Sequence, residues 1–281
     1  MPFSSISIII PAYNAQESIA STIDLIADFC AQQSLDHELI VVDDASTDAT
    51  ASIVRERAPN ARLIRHPSNC GKGAAVRTGM LEASADWAMF LDADHSTHIN
   101  HLRLVAPLAH TADVFVGSRH SARSTSSIAR PVHRQLLGNL FPALTARVLP
   151  QISDTQCGFK VFKRWTVRPI FSALSVRRFA FDVEALLLAE RLGASIVEFP
   201  VQWRNPQLST LNIQRDAPQM LLDVLRSAYT LRASGPAAAR LRELGTRLRS
   251  DAHRLPPVVL GPGVDRFAAS STSARSHSHS T

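Results

Sequence analysis

Two aspartates one residue apart, Asp92 and Asp94, close the apolar run "WAMFLDAD". On an extended backbone alternate residues project to one side, so the spacing predicts two carboxylates facing the same way. Unpaired, they would raise each other's pKa at a cost in free energy unless a cation lies between them. Hard oxygen ligands with few other protein donors suit Mg2+ or Mn2+, which keep waters and share a substrate's phosphates. The competing use is a solvated strand end with an aspartate capping the next helix. "VVDDAS" repeats the device with Asp43 and Asp44. Neighbouring residues point to opposite faces, so one of the two suffices to accept hydrogen bonds from ribose hydroxyls or a base N–H. Capping the next helix is again the other use. "NCGKGAAVRTG" sets Gly71 and Gly73 before a helical pattern, with Lys72 and Arg77 placed for a diphosphate. Neither Walker A spacing nor a GxGxxG fingerprint is present.

Such groups need elements that bring them together. "SISIIIPAY" is a β-branched run stopped by Pro11, and Ile19, Ile23, Ile26 and Phe29 then recur at helical intervals. "HELIVVDDAS" is a second buried run, followed by a helix with Ser46 or Thr47 as N-cap. "ARLIRHP" and "WAMFLDAD" supply two more strands around the "GKG" helix. Strands alternating with helices predict an α/β fold, Rossmann-like, with a mostly parallel central sheet flanked by helices. Ligands bind such sheets beyond the carboxyl ends of the strands. "PAYN", "VDDAS" and "DADH" should therefore converge on one cleft. Further along, "ADVFVGSRH" and "SIVEFPVQW" read as strands and "DTQCGFKVFKR" as strand-like. "QLLGNLFPALTARVL" is a helix interrupted by Pro142, "FAFDVEALLLAERLG" a further helix, and "APQMLLDVLRSAYTLR" a closing one. The organisation expected is one domain over 1–232, a basic helical extension over 233–255 and a disordered tail over 256–281.

The net charge is +6, and from Arg226 onward nine arginines face three acidic residues, 9 − 3 = +6. Residues 1–225 are therefore balanced, which excludes nucleic-acid binding by the main domain on charge. Cys30, Cys70 and Cys157 are widely spaced, which predicts reduced thiols with neither a disulfide framework nor a zinc site. No window reaches the roughly 18 apolar residues of a membrane span. The expectation is a soluble or peripheral protein. Leu241, Leu244 and Leu248 form a stripe with arginines beside it, fitting either an interfacial helix on an anionic membrane or a solvated helix packed by its leucines.

Taken in order, "SIIIPAYNAQESI", "ELIVVDDASTDAT", "NCGKGAAVRTGM", "FLDADHSTH", "VGSR", "DTQCGFKVF", "FDVEALLLA" and "VEFPVQW" resemble the family 2 inverting glycosyltransferases of GT-A fold. Within that family, "DTQCGFK" followed by "FDVE" is similar to the branch that glycosylates polyprenyl and dolichyl phosphates. The resemblance implies that Pro11, Ala12, Tyr13 and Glu17 sit beside the donor nucleotide, with Asp43 or Asp44 on its base and ribose. It places Asp92 and Asp94 on Mg2+ or Mn2+ against the diphosphate, with Asp92 also counted among the donor contacts. Arg119 and an arginine of the next loop, Arg130 or Arg134, receive the acceptor phosphate. Asp182 falls near the sugar, and serves as base if the acceptor is a hydroxyl. The implied partners are UDP-glucose, with GDP-mannose as the alternative, and a polyprenyl phosphate at the cytoplasmic membrane face. Departures from the pattern are His95 soon after the aspartates, Thr210 where a basic residue is expected, and no membrane-spanning helix. The basic C-terminal helix then either stands in for that anchor or packs on the domain as an ordinary solvated helix.

Overall fold

The computed structural model describes residues 3–119, 141–203, 213–233 and 235–252. Among them, β1 (Ile6–Ala12), β2 (His37–Asp43), β3 (Arg62–Arg65), β4 (Trp87–Phe90), β5 (Val114–Ser118), β6 (Lys160–Lys163) and β7 (Ile196–Pro200) form one sheet. Its order is β3-β2-β1-β4-β6-β5-β7. β1 to β4 run parallel, β5 pairs in parallel with β7, and β6 lies antiparallel between β4 and β5. The helices are α1 (Ile19–Gln33), α2 (Thr50–Arg57), α3 (Lys72–Glu82), α4 (Leu102–Val105), α5 (141–148), α6 (Arg164–Ala173), α7 (Phe181–Arg191), α8 (Ile213–Ala233) and α9 (Gly235–Ala252).

Alternate strand residues feed two apolar layers, one on each face of the sheet. Ile9, Val42 and Phe90 join residues of α3, α6 and α7, whereas Ile8, Val41 and Met89 join Ile23, Ile26 and Phe29 of α1. Burial on both faces explains why these strands read as continuous apolar runs. Because β2, β1 and β4 are parallel neighbours, their carboxyl ends lie side by side.

Three local expectations need correction, and one helix was missed. β1 does not stop at Pro11 but runs through it to Ala12. The Ile9 carbonyl accepts from Leu91 N–H on the β4 side, and Pro11, two residues on, turns the same way. β4 has ended by then, so the missing N–H of Pro11 costs no ladder bond. β4 stops at Phe90, so Asp92 and Asp94 stand on a turn and not on an extended strand. α2 begins at Thr50 instead of after Ser46 or Thr47. Ser46 N–H donates to Asp43 Oδ1, and Ala49 is the N-cap residue, with Asp48 just before it taking the Thr50 N–H on Oδ1. α6 was not foreseen, since Pro169 inside "RWTVRPIFSA" masks its helical spacing.

The C-terminal helix lies on the domain. Leu248 and Ala252 of α9 pack against the core, and a Cβ on Gly245 would overlap the Leu192 carbonyl. Arg249 donates to Asp113 Oδ2 at 2.7 Å and to the Gly193 carbonyl at 2.6 Å, with its guanidinium over the Trp165 ring. The stripe therefore divides, with Leu248 inward and Leu244 exposed. A longer exposed apolar row lies on α8: Leu222, Leu225 and Tyr229, the last 77% exposed.

Candidate active site

Past β4 the chain turns sharply, and His95 adopts a left-handed φ of 43°. Ser96 N–H donates to Asp94 Oδ1 at 2.9 Å, and the Thr22 hydroxyl of α1 donates to the Ala93 carbonyl at 2.7 Å. These bonds fix the acidic turn against α1. Lys72, first residue of α3, places its ammonium 2.5 Å from Asp92 Oδ1. Burial opposes the charge on Lys72, but the carboxylates of Asp92, Asp182 and Asp94 outweigh it and hold the ammonium above its usual range. An ammonium thus already fills a cation's place on Asp92. The hard carboxylate oxygens of Asp92 and Asp94 also fit Mg2+ or Mn2+, which when bound would supply countercharge to a leaving diphosphate. Among the described residues, no third His, Cys, Asp or Glu ligand atom joins Asp92 and Asp94 within 4.8 Å. Diphosphate oxygens and water are left to complete such a shell.

Beneath this turn lies a buried ion pair. Lys160 of β6 is fully buried, 2.5 Å from Asp182 Oδ1 and 2.6 Å from the Cys157 carbonyl, with its ammonium over the Phe90 ring. Asp182, near the start of α7, is held above the ordinary carboxylate range by burial, which Lys160 and Lys72 oppose and Asp92 reinforces. Gly158, two residues before β6, approaches Asp92 closely. A Cβ there would overlap the Asp92 carboxylate. Gly158→Ala is therefore expected to displace that carboxylate and lower turnover by about 100-fold, with the melting temperature changed by only a few degrees. Nucleoside diphosphate release and a thermal melt measured together check this.

On the nucleotide side, two loops are laced together. Asn14 N–H donates to Ser46 Oγ, Ala15 N–H to Thr50 Oγ1, and Thr47 N–H to Asn14 Oδ1, all at 2.8–2.9 Å. Pro11 and Ala12 are buried at the end of β1, while Tyr13 and Glu17 beside them are exposed. The aspartate pair divides its work. Asp44 is committed inward: Oδ1 takes Cys70 N–H and His66 Nδ1, and Oδ2 takes Gly71 N–H. Asp43 keeps a buried Oδ2 that makes no hydrogen bond among the described residues, although Arg65 Nε stands 3.1 Å away. Asp43 thus has the unused acceptor. The start of α3 is partly spent as well, because Ala74 N–H donates to the Arg177 carbonyl. Gly71, at φ 98°, and Gly73 are required by the close approach of residues 176–181. The Arg77 Nε is buried without a partner among the described residues.

Arg119, at the end of β5, grips Asp154 through Nε and Nη2 at 2.7 and 2.8 Å, and its face covers the Trp203 ring. Burial opposes ionisation of both, yet the fork prevails, holding Arg119 above and Asp154 below their ordinary ranges. Arg130, Arg134 and Thr210 lie outside the described residues. The Ser21 and Thr22 hydroxyls, 3.5 and 3.4 Å from His95 Nδ1, donate to the Ser18 and Ala93 carbonyls. Sequence reasoning missed Asp154, Gly158 and Lys160. All three stand within "DTQCGFK", the segment that marks the resemblance, but only the folded chain shows what each one touches.

A mostly parallel sheet with one reversed strand sets an acidic turn beside a lysine beyond the strands' carboxyl ends, the GT-A glycosyltransferase architecture that the solved neighbour below shares. Glycosyl transferase family 2 matches residues 7–171, and the chain belongs to that family. It is 34% identical to the dolichyl-phosphate beta-glucosyltransferase of Dictyostelium discoideum over 241 residues, covering 80% of this chain and 74% of that protein. It is 36% identical to the enzyme of the same name from Drosophila melanogaster over 220 residues, covering 72% and 68%. Glucosyl-3-phosphoglycerate synthase from Mycobacterium tuberculosis, solved with Mn2+, UDP-glucose and phosphoglyceric acid, matches at TM-score 0.60 with 22% identity over 80% of each chain.

Proposed function

We propose that this glycosyltransferase moves glucose from UDP-glucose, with inversion, onto the phosphate of a polyprenyl or dolichyl-type lipid. The observation that carries the reading is the Asp92–Lys72 pair at the mouth of three converging strand ends. Carboxylates able to hold a divalent ion, next to an ammonium, suit a diphosphate leaving group. The relatives' names support glucose and the lipid phosphate, and the solved neighbour with UDP-glucose supports the donor.

In this reading Asp43 Oδ2 accepts from the base or ribose, with Pro11, Ala12, Tyr13 and Glu17 around the nucleotide. Lys72 passes from Asp92 to the diphosphate, and Arg77 adds charge behind it. Arg119, with Arg130 or Arg134, positions the acceptor phosphate. A phosphate oxygen attacks the anomeric carbon opposite the departing diphosphate, so one C–O bond forms as the other breaks. The attacking group is already an anion and no proton need move. That suits Asp182, which is buried with its Oδ1 held by Lys160 and so acts in this reading as a positioning residue instead of a base. A hydroxyl acceptor, which needs a base, is disfavoured accordingly.

The test is a donor screen with Mg2+ or Mn2+, following nucleoside diphosphate release with and without a short polyprenyl phosphate. Release that requires both UDP-glucose and the lipid phosphate is expected. Equal release with a sugar or glycerol acceptor overturns the proposal.

We also propose peripheral contact with anionic membrane at the cytoplasmic face, where the acceptor's headgroup is presented. Among the described residues no helix is long and apolar enough to cross a membrane. The sequence left α9 either on such a membrane or packed on the domain by its leucines; α9 spends Leu248 and Arg249 on the domain, so in this reading the contact falls to the exposed row of α8 with Arg226 beside it. Leu222→Glu/Leu225→Glu is expected to abolish co-sedimentation with phosphatidylglycerol vesicles. Undiminished co-sedimentation sinks the α8 contact.

A further inference from the structure

Three potential metal ligands of different chemistry meet at the outer corner of the site and take no part in the transfer. Asp44 leaves the end of β2, His66 the end of β3, and Cys70 stands two residues before α3. One ligand atom from each lies within 4.8 Å of the other two. The His66 Nδ1 is 2.7 Å from Asp44 Oδ1, and its Nε2 is 3.0 Å from the Thr78 hydroxyl. An ionised carboxylate only accepts, so Nδ1 carries the ring proton and Nε2 accepts from Thr78. A single proton thus separates an imidazole nitrogen from a carboxylate oxygen, which is where a metal ion can substitute.

We propose that Asp44, His66 and Cys70 bind one zinc-class divalent cation at a site separate from Asp92 and Asp94. A carboxylate, a thiolate and a neutral imidazole supply two negative charges, matching a dication, and leave the fourth tetrahedral position to water. Metal–ligand bonds of ~2.0–2.3 Å set neighbouring ligand atoms ~3.3–3.7 Å apart. The His66–Asp44 pair must open by about 0.6 Å and Cys70 must close by about 1 Å at most. Cys70 is free to do so, because among the described residues its half-buried Sγ is held only by a 3.3 Å bond to the Ser68 carbonyl. Asp44 is preset instead: the N–H groups of Cys70 and Gly71 fix both of its oxygens, as an outer shell fixes a ligand.

The sulfur separates this site in chemistry from the acidic turn. Soft thiolate favours Zn2+ over Mg2+, whereas Asp92 and Asp94 offer hard oxygen alone. The two sites are also apart in space, since β1 lies between β2 and β4, a separation of about 10 Å. No other thiol competes. Cys30 and Cys157 are buried, and burial pushes them up to about 12 and about 11. Cys70 directly precedes Gly71 and Lys72, so a cation here would brace the loop that delivers the ammonium to Asp92. Spacing alone pointed away from zinc because the three ligands come from three separate segments.

Titration of the full-length, reduced, metal-free chain with Co2+ tests the proposal. One equivalent is expected to bind with a thiolate-to-cobalt charge-transfer band and the intense visible bands of four-coordinate cobalt, both bleached by one equivalent of Zn2+. Cys70→Ser removes the charge-transfer band, and His66→Gln weakens Zn2+ binding at least about tenfold. The band persists in Asp92→Asn/Asp94→Asn. A wild-type chain without the band overturns the proposal, as does a band that survives Cys70→Ser or vanishes in Asp92→Asn/Asp94→Asn. Matching circular dichroism spectra confirm that each variant is folded.

Discussion

Asp92→Asn is expected to lower turnover about a thousandfold or more, equivalent to ~4 kcal/mol of lost transition-state charge stabilisation. The loss belongs to chemistry and not to folding. Asp92 stands on a turn outside the sheet, its side chain is a quarter exposed, and its ion pair is with Lys72. A partly exposed ion pair contributes ~0–1 kcal/mol to stability. Circular dichroism melts should therefore nearly coincide with the wild type, while UDP release in the presence of Mn2+ collapses. Asparagine keeps the shape and removes the charge, so Lys72 loses its partner and any divalent ion loses a ligand. Wild-type turnover by this variant without added metal would remove Asp92 from the machinery.

Lys160→Met carries the largest expected effect on stability. Its ammonium is buried and serves Asp182 Oδ1 and the Cys157 carbonyl together. Taking away one partner of a buried pair leaves an uncompensated charge, at ~3–5 kcal/mol. For a chain of this size that is a fall in melting temperature of roughly 10 °C. Lys160→Met/Asp182→Leu replaces both partners by apolar groups and should recover most of that loss. Turnover should not recover, since Asp182 and the Cys157–Gly158 segment under Asp92 are no longer held. Equal melting temperatures for the single and double variants would show that the pair is not coupled.

The fold was largely legible because its parallel strands, buried on both faces, leave uninterrupted apolar runs that spacing alone can detect. Errors fell where local signals were overruled. Pro11 looked like a strand terminator, yet its missing N–H faces a side from which β4 has already departed. Pro169 hid α6 in the same way. At the site, residue types announced themselves at "DAD" and "DDAS", but partners did not. Asp43 and Asp44 are adjacent and chemically identical. One holds the Cys70–Gly71 turn and the other keeps an oxygen that meets Arg65 without a hydrogen bond among the described residues, a difference that depends on β3 and the start of α3 arriving beside them.

By itself the sequence determined the α/β alternation, the carboxylates at strand ends and the motif order of glycosyltransferase family 2, all properties of residues close together in the chain. Tertiary structure alone decided that Lys72 meets Asp92, that Lys160 neutralises Asp182, that Gly158 makes room for a carboxylate, and that α9 lies on the domain while α8 exposes its leucines. The reason is distance along the chain. Lys72 and Asp92 are 20 residues apart and Lys160 and Asp182 are 22 apart, and no periodicity of helix or strand connects them. Only a sheet that sets β4 between β1 and β6 brings those charges within reach of one another.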